Sequence, residues 1–239
     1  MNPLEPTLSI VSRCSFLKGL TPEECQVVVD GARPCHIRQG EYFFHQGEPA
    51  ATFYILVSGQ AKLTQISPEG HQVIVNYIGP GDGLGIIVVL SNMEYPIAAE
   101  AVEECHALAW DKLTTRQLMQ CYPQLAINGM ELIAHHFASL QERYHQLVTQ
   151  RVEQRIARTL LQLVRQFGKK VPEGVRIDMP LTRQDLAEMT GTNLYNVSRF
   201  LSKWEQVGIV KSSRKRITLC KPHDLVVIAE DLEPVIRNR

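Results

Sequence analysis

The apolar period of this chain passes from strand-like to helical near residue 111, and that change restricts the fold more than any other feature. From about residue 33 up to it, short β-branched and aromatic runs alternate with glycine turns, as in EYFFHQGEPA and ATFYILVSGQAKLTQISPEGHQVIVNYIGPGDGLGIIVVL. Glycines fall at 40, 47, 59, 70, 79, 81, 83 and 85. Runs of about four to eight residues punctuated in this way predict an antiparallel sandwich or barrel. SPEG (67–70) between two alternating runs predicts a hairpin turn. Ahead of this block, Pro22 and Gly31 bracket a short helix.

Beyond residue 111 the period is helical. After Pro123, the residues Met130, Ile133, Phe137, Leu140, Tyr144 and Leu147 are spaced 3, 4, 3, 4, 3, a narrow seam on a long helix. Such a seam packs on its own domain or pairs with a copy of itself. The polar residues between its positions (His135, His136, Ser139, Gln141, Glu142, Arg143, Gln146) favour a parallel homodimer. A second helix is expected at about 150–167, with Val152, Ile156, Leu160 and Leu163/Val164 on one face and Gly168 at its end. KKVPEG then reads as a loop and VRIDMP as a short strand.

Residues 182–210, TRQDLAEMTGTNLYNVSRFLSKWEQVGIV, break a good helix at one glycine and restart it. Thr182 is a good N-cap with Asp185 three residues on, Gly191 can take a left-handed turn, and Asn193 can cap the restart. Ala187, Gly191 and Val197 supply the small residue, the turn and the β-branched filler of a helix-turn-helix. On the second helix Val197, Leu201 and Trp204 form an inner face. Tyr195, Ser198, Arg199 and Ser202 then point outward from the half that would enter a major groove. After Gly208, IVKSSRKRITL reads as two short strands round a basic tip, a wing that sets Lys211, Arg214, Lys215 and Arg216 beside phosphates. The expected DNA-facing set is Thr182, Arg183, Asn193, Tyr195, Asn196, Ser198, Arg199, Ser202, Lys203, Arg214 and Lys215.

Charge supports this division. Residues 1–150 carry 8 Lys+Arg against 15 Asp+Glu, whereas residues 151–220 carry 14 against 6, although the whole chain sums to zero. A basic segment of this kind suits a polyanion. The start, MNPLEPTLSIVSRCSF, lacks the pattern of a secretory signal, and no apolar run approaches the roughly 20 residues of a membrane helix. A cytoplasmic protein is expected. The six cysteines (Cys14, Cys25, Cys35, Cys105, Cys121, Cys220) show no CxxC pair or zinc-finger spacing and read as free thiols. No Ser/His/Asp arrangement stands out, and GPGDGLG is not followed by Lys-Ser/Thr, so nothing points to an enzyme.

FLKGLTPEE, the strand-and-glycine block from GEYFF to GQAKL, GPGDGLG, the helix from Pro123, RIARTLLQL and LTRQDLAEMTG…VSRFLSKWEQVGIV follow one another in the order of the Crp/Fnr superfamily of bacterial transcription regulators. The chain resembles that family over about residues 12–220. The resemblance implies an α+β fold. Its parts are an antiparallel β-roll sensor of the cyclic-nucleotide-binding kind (1–118), a dimerisation helix (119–149) and a winged helix-turn-helix (150–239). It also implies a homodimer on a palindromic double-stranded operator, with RNA polymerase as partner and activation as the usual outcome.

The departures bear on mechanism. Family members that bind cyclic nucleotides carry a Glu for the ribose and an Arg for the phosphate. At those places this chain has Ile86 and Pro96, leaving no charge to offset desolvation of a phosphate, so cyclic AMP is not expected to bind. Cluster-bearing relatives use closely spaced N-terminal cysteines. Cys14, Cys25 and Cys35 are ten and nine residues apart, and Cys105 does not fall where the later ligand should, so the pattern of an iron–sulfur site is not met. The cassette is apolar instead (Leu84, Ile86, Ile87, Val88, Val89, Leu90). Such a pocket can hold haem, as in gas-sensing relatives, with His135 and His136 the nearest ligands, or those histidines are solvated helix positions and no small ligand is needed. Many relatives have Glu at the place of Tyr195, whereas Ser198 and Arg199 match the family's Ser-Arg. Arg199 can read a guanine bidentately and Tyr195 cannot replace a carboxylate, so the expected half-site is altered but keeps that guanine.

Overall fold

The computed structural model describes residues 14–86 and 94–232. Among them no helix is long and apolar enough to cross a membrane. The chain forms two compact units, Met1–Leu140 and Gln141–Arg239.

The first unit opens with a 3-10 turn, Ser15–Leu17, and helix α1, Pro22–Asp30. Thr21 and Glu24 close a reciprocal capping box around the N-terminus of α1, where proline costs no hydrogen bond. Among the described residues eight strands follow: β1 Arg33–Ile37, β2 Tyr42–Phe44, β3 Thr52–Ser58, β4 Ala61–Ile66, β5 Gln72–Ile78, β6 Gly83–Leu84, β7 Ala98–Ala101 and β8 Cys105–Asp111. They form two antiparallel sheets, ordered β1-β8-β3-β6 and β2-β7-β4-β5. This is the jelly-roll-like sandwich that the glycine spacing implies. The SPEG turn joins β4 to β5, which pair from Ala61↔Ile78 to Ile66↔Gln72.

Period-two alternation on β3 and β8 supplies two cores at once. Tyr54, Leu56, Ala107 and Ala109 join Phe43, Leu63, Ala99 and Ala101 between the sheets. Phe53, Ile55, Leu108 and Trp110 face the other way, against Phe16, Val28 and Leu125 of the flanking helical segments. There the buried indole N–H of Trp110 donates to Val28 O at 2.8 Å. Helix α2, Lys112–Cys121, and helix α3, Pro123–Thr149, complete this side, with α3 belonging to the first unit as far as Leu140. Asn128 of α3 is buried and fully used: its Nδ2 donates to Phe16 O at 2.7 Å and Lys18 O at 2.8 Å, and its Oδ1 accepts from Gln124 Nε2 at 3.0 Å.

The seam on α3 lies open. Met130, Phe137, Leu140, Tyr144 and Leu147 are between 51% and 71% exposed, and only Ile133 packs against the first unit's core. Ile127, one helical step before Met130, is exposed as well and lengthens the stripe, and Val148, beside Leu147 and four residues after Tyr144, widens its far end.

The second unit contains the rest of α3, α4 Val152–Phe167, β9 Gly168–Val171, β10 Gly174–Ile177, α5 Arg183–Thr190, α6 Leu194–Gln206, β11 Val210–Ser213, β12 Arg216–Leu219 and α7 Pro222–Ala229. The sheet order is β11-β12-β10-β9. One expectation is corrected: KKV does not lie in a loop but forms β9, pairing with β10 from Lys169↔Arg176 to Val171↔Gly174. Because β9 is an edge strand with three exposed residues, it carries no apolar alternation to announce it, and its lysines suit an unpaired edge.

Candidate nucleic-acid interface

The interface is built around Gly191. Its backbone is left-handed (φ 60°, ψ 43°), and the N–H groups of Gly191 and Thr192 both return to Ala187 O, so α5 stops and the chain turns. Thr182 and Asp185 close the box at the start of α5. Asn193 Oδ1 accepts the Asn196 N–H at 2.9 Å and starts α6, while Asn196 Nδ2 donates to Thr192 Oγ1 at 3.0 Å. The side chains of Thr182, Asn193 and Asn196 are thus engaged at helix ends, and any phosphate contact they make adds to a cap already formed. Gly191→Ala places a side chain at positive φ with its Cβ 2.9 Å from Leu147 Cδ2. Leu147 can move aside, so the backbone dominates. The expected loss of stability is about 1–2 kcal/mol, measured as a lowered unfolding midpoint.

Val197, Leu201 and Trp204 are fully buried and fix the inner face of α6. Tyr195, Arg199 and Ser202 are exposed and Ser198 is half-buried beside them, on the outward side. The Arg199 guanidinium carbon lies 4.7 Å from the Phe200 ring centroid and 5.9 Å from that of Tyr195. Stacking of this kind orients a guanidinium while leaving its N–H groups available. Lys203 instead turns back toward α4, its Nζ 3.0 Å from Glu153 Oε1, which also accepts from Trp204 Nε1 at 3.3 Å.

Contacts that sequence reasoning missed hold these elements together. Arg155 of α4 donates from Nε to Thr190 O at 3.0 Å and from Nη1 to Gln150 O at 2.9 Å, and its Nη2 reaches Gly191 O at 3.4 Å. A cation thus meets the C-terminal carbonyls of α5, where the helix dipole is negative. Arg183, the first residue of α5, donates to Ser212 Oγ at 3.1 Å. Glu205 of α6 accepts from the Ser212 N–H at 2.8 Å and from its hydroxyl, with Arg183 Nη2 3.7 Å away. One triad therefore sets α5, α6 and the wing. The pattern of i, i+3 and i+4 spacings carries no sign of it, because its members come from three elements.

The wing is the β11–β12 hairpin, with Arg214 and Lys215 at its tip between Ser213 and Arg216. Arg214, Lys215 and Arg216 are exposed. Lys215 holds a left-handed φ of 62°, and Leu181 N–H donates to its carbonyl at 3.1 Å, tying the tip to the entrance of α5. A groove of about 250 Å³ lined by Thr182, Arg183, Ser213, Arg214 and Lys215 lies between them. A helix N-terminus with arginine and lysine beside it is suited to a phosphate.

A Cyclic nucleotide-binding domain model matches residues 34–122, and a Crp-like helix-turn-helix domain model matches residues 154–228. The chain belongs to the Crp/Fnr superfamily. The CRP-like cAMP-activated global transcriptional regulator of Mycobacterium tuberculosis is 22% identical over 210 residues, 88% of this chain and 94% of that protein. The cAMP-activated global transcriptional regulator CRP of Salmonella typhimurium is 27% identical over 190 residues, 77% of this chain and 90% of that one. The structure of FixK2 from Bradyrhizobium japonicum superposes with a TM-score of 0.73 at 23% identity, covering 82% of this chain and 96% of that one. This protein is thus a Crp/Fnr-type transcription regulator with a helix-turn-helix DNA-binding domain.

In this Crp/Fnr regulator the described members of the expected effector pocket have different surroundings. Leu84 lies in the core between the sheets, while Ile86 lies in the core against the helical segments. Pro96 is exposed, and Ile87 and Val88 lie outside the described residues. His135 and His136 are exposed by surface area on α3. The protein around His136 nonetheless lowers its pKa by desolvation, with His135 adding to the effect and Asp82 opposing it. Among the cysteines, Cys14 and Cys25 are buried with Ile86, and Cys105 lies in the other core. Burial pushes the thiols of Cys14 and Cys105 up to about 11, so both are held as neutral core groups.

Proposed function

We propose that two copies of this regulator pair in parallel along the α3 seam and bind a palindromic duplex, each inserting α6 into a major groove with the wing on the flanking phosphates. The outward face of α6 carries the reading: Arg199 is exposed and held over aromatic rings, and among the described residues no carboxylate pairs with it. Tyr195 and Ser202 beside it offer hydrogen bonds to base edges or phosphates. The exposed apolar stripe on α3 supports the pairing, because water-facing Phe, Leu, Met and Tyr at a 3-4 spacing gain most by covering one another. Symmetric pairing of recognition helices matches half-sites about one helical turn apart.

In this reading cyclic AMP is not the effector. Ile86, standing where a ribose-binding carboxylate would be needed, is 1% exposed and packs with Phe53 and Leu125. The test is a set of gel shifts on a duplex selected from random DNA, run over a salt series with and without cyclic AMP. Affinity is expected to fall about 10³-fold or more between about 50 and 200 mM salt, as counterion release requires for six or more phosphate contacts. Cyclic AMP is expected to leave the curves unmoved. A flat salt dependence would remove the proposed contact with DNA, and tightening by the nucleotide would remove the claim about the effector.

A further inference from the structure

On the β-roll, His36 of β1 and His106 of β8 are direct partners in the antiparallel register. Their imidazoles stack with centroids 4.8 Å apart and planes inclined by 20°. Glu104, the residue before β8, brings its Oε1 to 2.6 Å from His36 Nε2. One ligand atom from each of the three lies within 4.8 Å of the others. A bulge between Leu56 and Ser58 of β3 puts Ser58 opposite His106, with its Oγ 3.1 Å from His106 Nδ1. At the neighbouring turn, a Cβ on Gly59 would meet Glu104 O at 2.3 Å, so a glycine with φ 84° is what lets the Glu104 segment lie this close.

From this geometry we propose that His36, Glu104 and His106 form a binding site for a first-row divalent cation of the zinc class. Two imidazoles and one carboxylate are a borderline nitrogen-rich donor set, which selects such ions over magnesium or calcium. Three protein ligands leave a fourth tetrahedral position for water. The ligand atoms need only adjust to separations of about 3.3 Å, the distance set by bonds of about 2.0–2.1 Å to a tetrahedral ion, the His36–Glu104 pair opening from 2.6 Å and the wider separations closing. All three side chains are exposed and free to make that adjustment. Ser58 positions rather than ligates: by accepting the Nδ1–H of His106 it leaves the Nε2 lone pair for the metal. The ion would staple β1, an edge strand, to β8.

The experiment is a calorimetric titration of the full reduced chain with ZnCl₂, paired with thermal unfolding. Wild type is expected to bind one equivalent at this site and to unfold at higher temperature with zinc than without. His36→Ala and His106→Ala are each expected to weaken that equivalent by about 100-fold or more, and Ser58→Ala by about tenfold. His135→Ala, elsewhere in the fold, is expected to leave it unchanged, and magnesium is expected not to compete. The three β-roll residues are solvent-exposed or near the surface, so unfolding without metal should stay near wild type and report intact folding. Zinc binding that survives both histidine substitutions and vanishes on alkylation of accessible thiols would overturn the assignment, as would the absence of a saturable site at micromolar protein.

Discussion

Phe137→Glu combined with Leu140→Glu is expected to leave this regulator monomeric at micromolar concentration and to weaken operator binding by about 10²–10⁴-fold, the avidity lost when two linked sites become independent. Both positions are exposed in the single chain, Phe137 at 61% and Leu140 at 54%, so neither carboxylate is forced into a core that the monomer needs. The penalty falls on association. In a parallel pair each seam position faces its own copy across the twofold axis, so every introduced Glu meets a second Glu in a region that pairing strips of water. Covering an apolar side chain of this size is worth about 1.5–3 kcal/mol, and the double substitution removes that gain twice per chain while adding the repulsion. Sedimentation equilibrium gives the mass, gel shifts on the full palindrome and on a single half-site give the affinity, and circular dichroism confirms the fold. A variant that stays dimeric, or a monomer that binds the palindrome as tightly as wild type, would show that α3 is not the pairing surface.

The parts of this fold that the sequence made legible are those whose determinants are local. Gly191, Asn193 and the Val197/Leu201/Trp204 face are set within a few turns of chain by caps and by the 3.6-residue period, and the structure places each as the spacing implies. The glycine-bounded strands are legible for the same reason. The rest depends on contacts between distant positions. Asn128 binds carbonyls 110 and 112 residues away, which no period encodes. Arg155 caps α5 from another helix, and Arg183, Glu205 and Ser212 come from three elements. His36 and His106 become neighbours only through the β1–β8 register. The apolar run that begins at Leu84 reads as one pocket wall, yet Leu84 and Ile86 enter different cores. Strand β9 was hidden because an exposed edge has no need of apolar residues.

Arg199→Ala is expected to cost about 1–3 kcal/mol per half-site, the discrimination a bidentate arginine–guanine pair supplies, and therefore roughly twice that on a palindrome read by a dimer. Arg199 is expected to be the strongest of the proposed base contacts. Its guanidinium rests on Phe200 and Tyr195, whereas Lys203 is spent on Glu153 and Arg183 on Ser212. Arg199→Lys should recover little, because an ammonium has neither the planar fork nor the same stacking. The signature that separates base reading from phosphate contact is selectivity. Losing a phosphate contact weakens all duplexes about equally and lowers the salt slope by about one per contact, whereas losing a base contact flattens preference at one position and leaves the slope nearly unchanged. Selection from random DNA with wild type, Arg199→Ala and Lys215→Ala distinguishes the two. Arg199→Ala should lose a symmetric pair of guanines from the selected site, and Lys215→Ala should keep them while binding every sequence more weakly. If Arg199→Ala selects the same site with the same sharpness, the reading head of α6 lies elsewhere on that helix, and Tyr195, 71% exposed one turn earlier, is the residue to which the assignment moves.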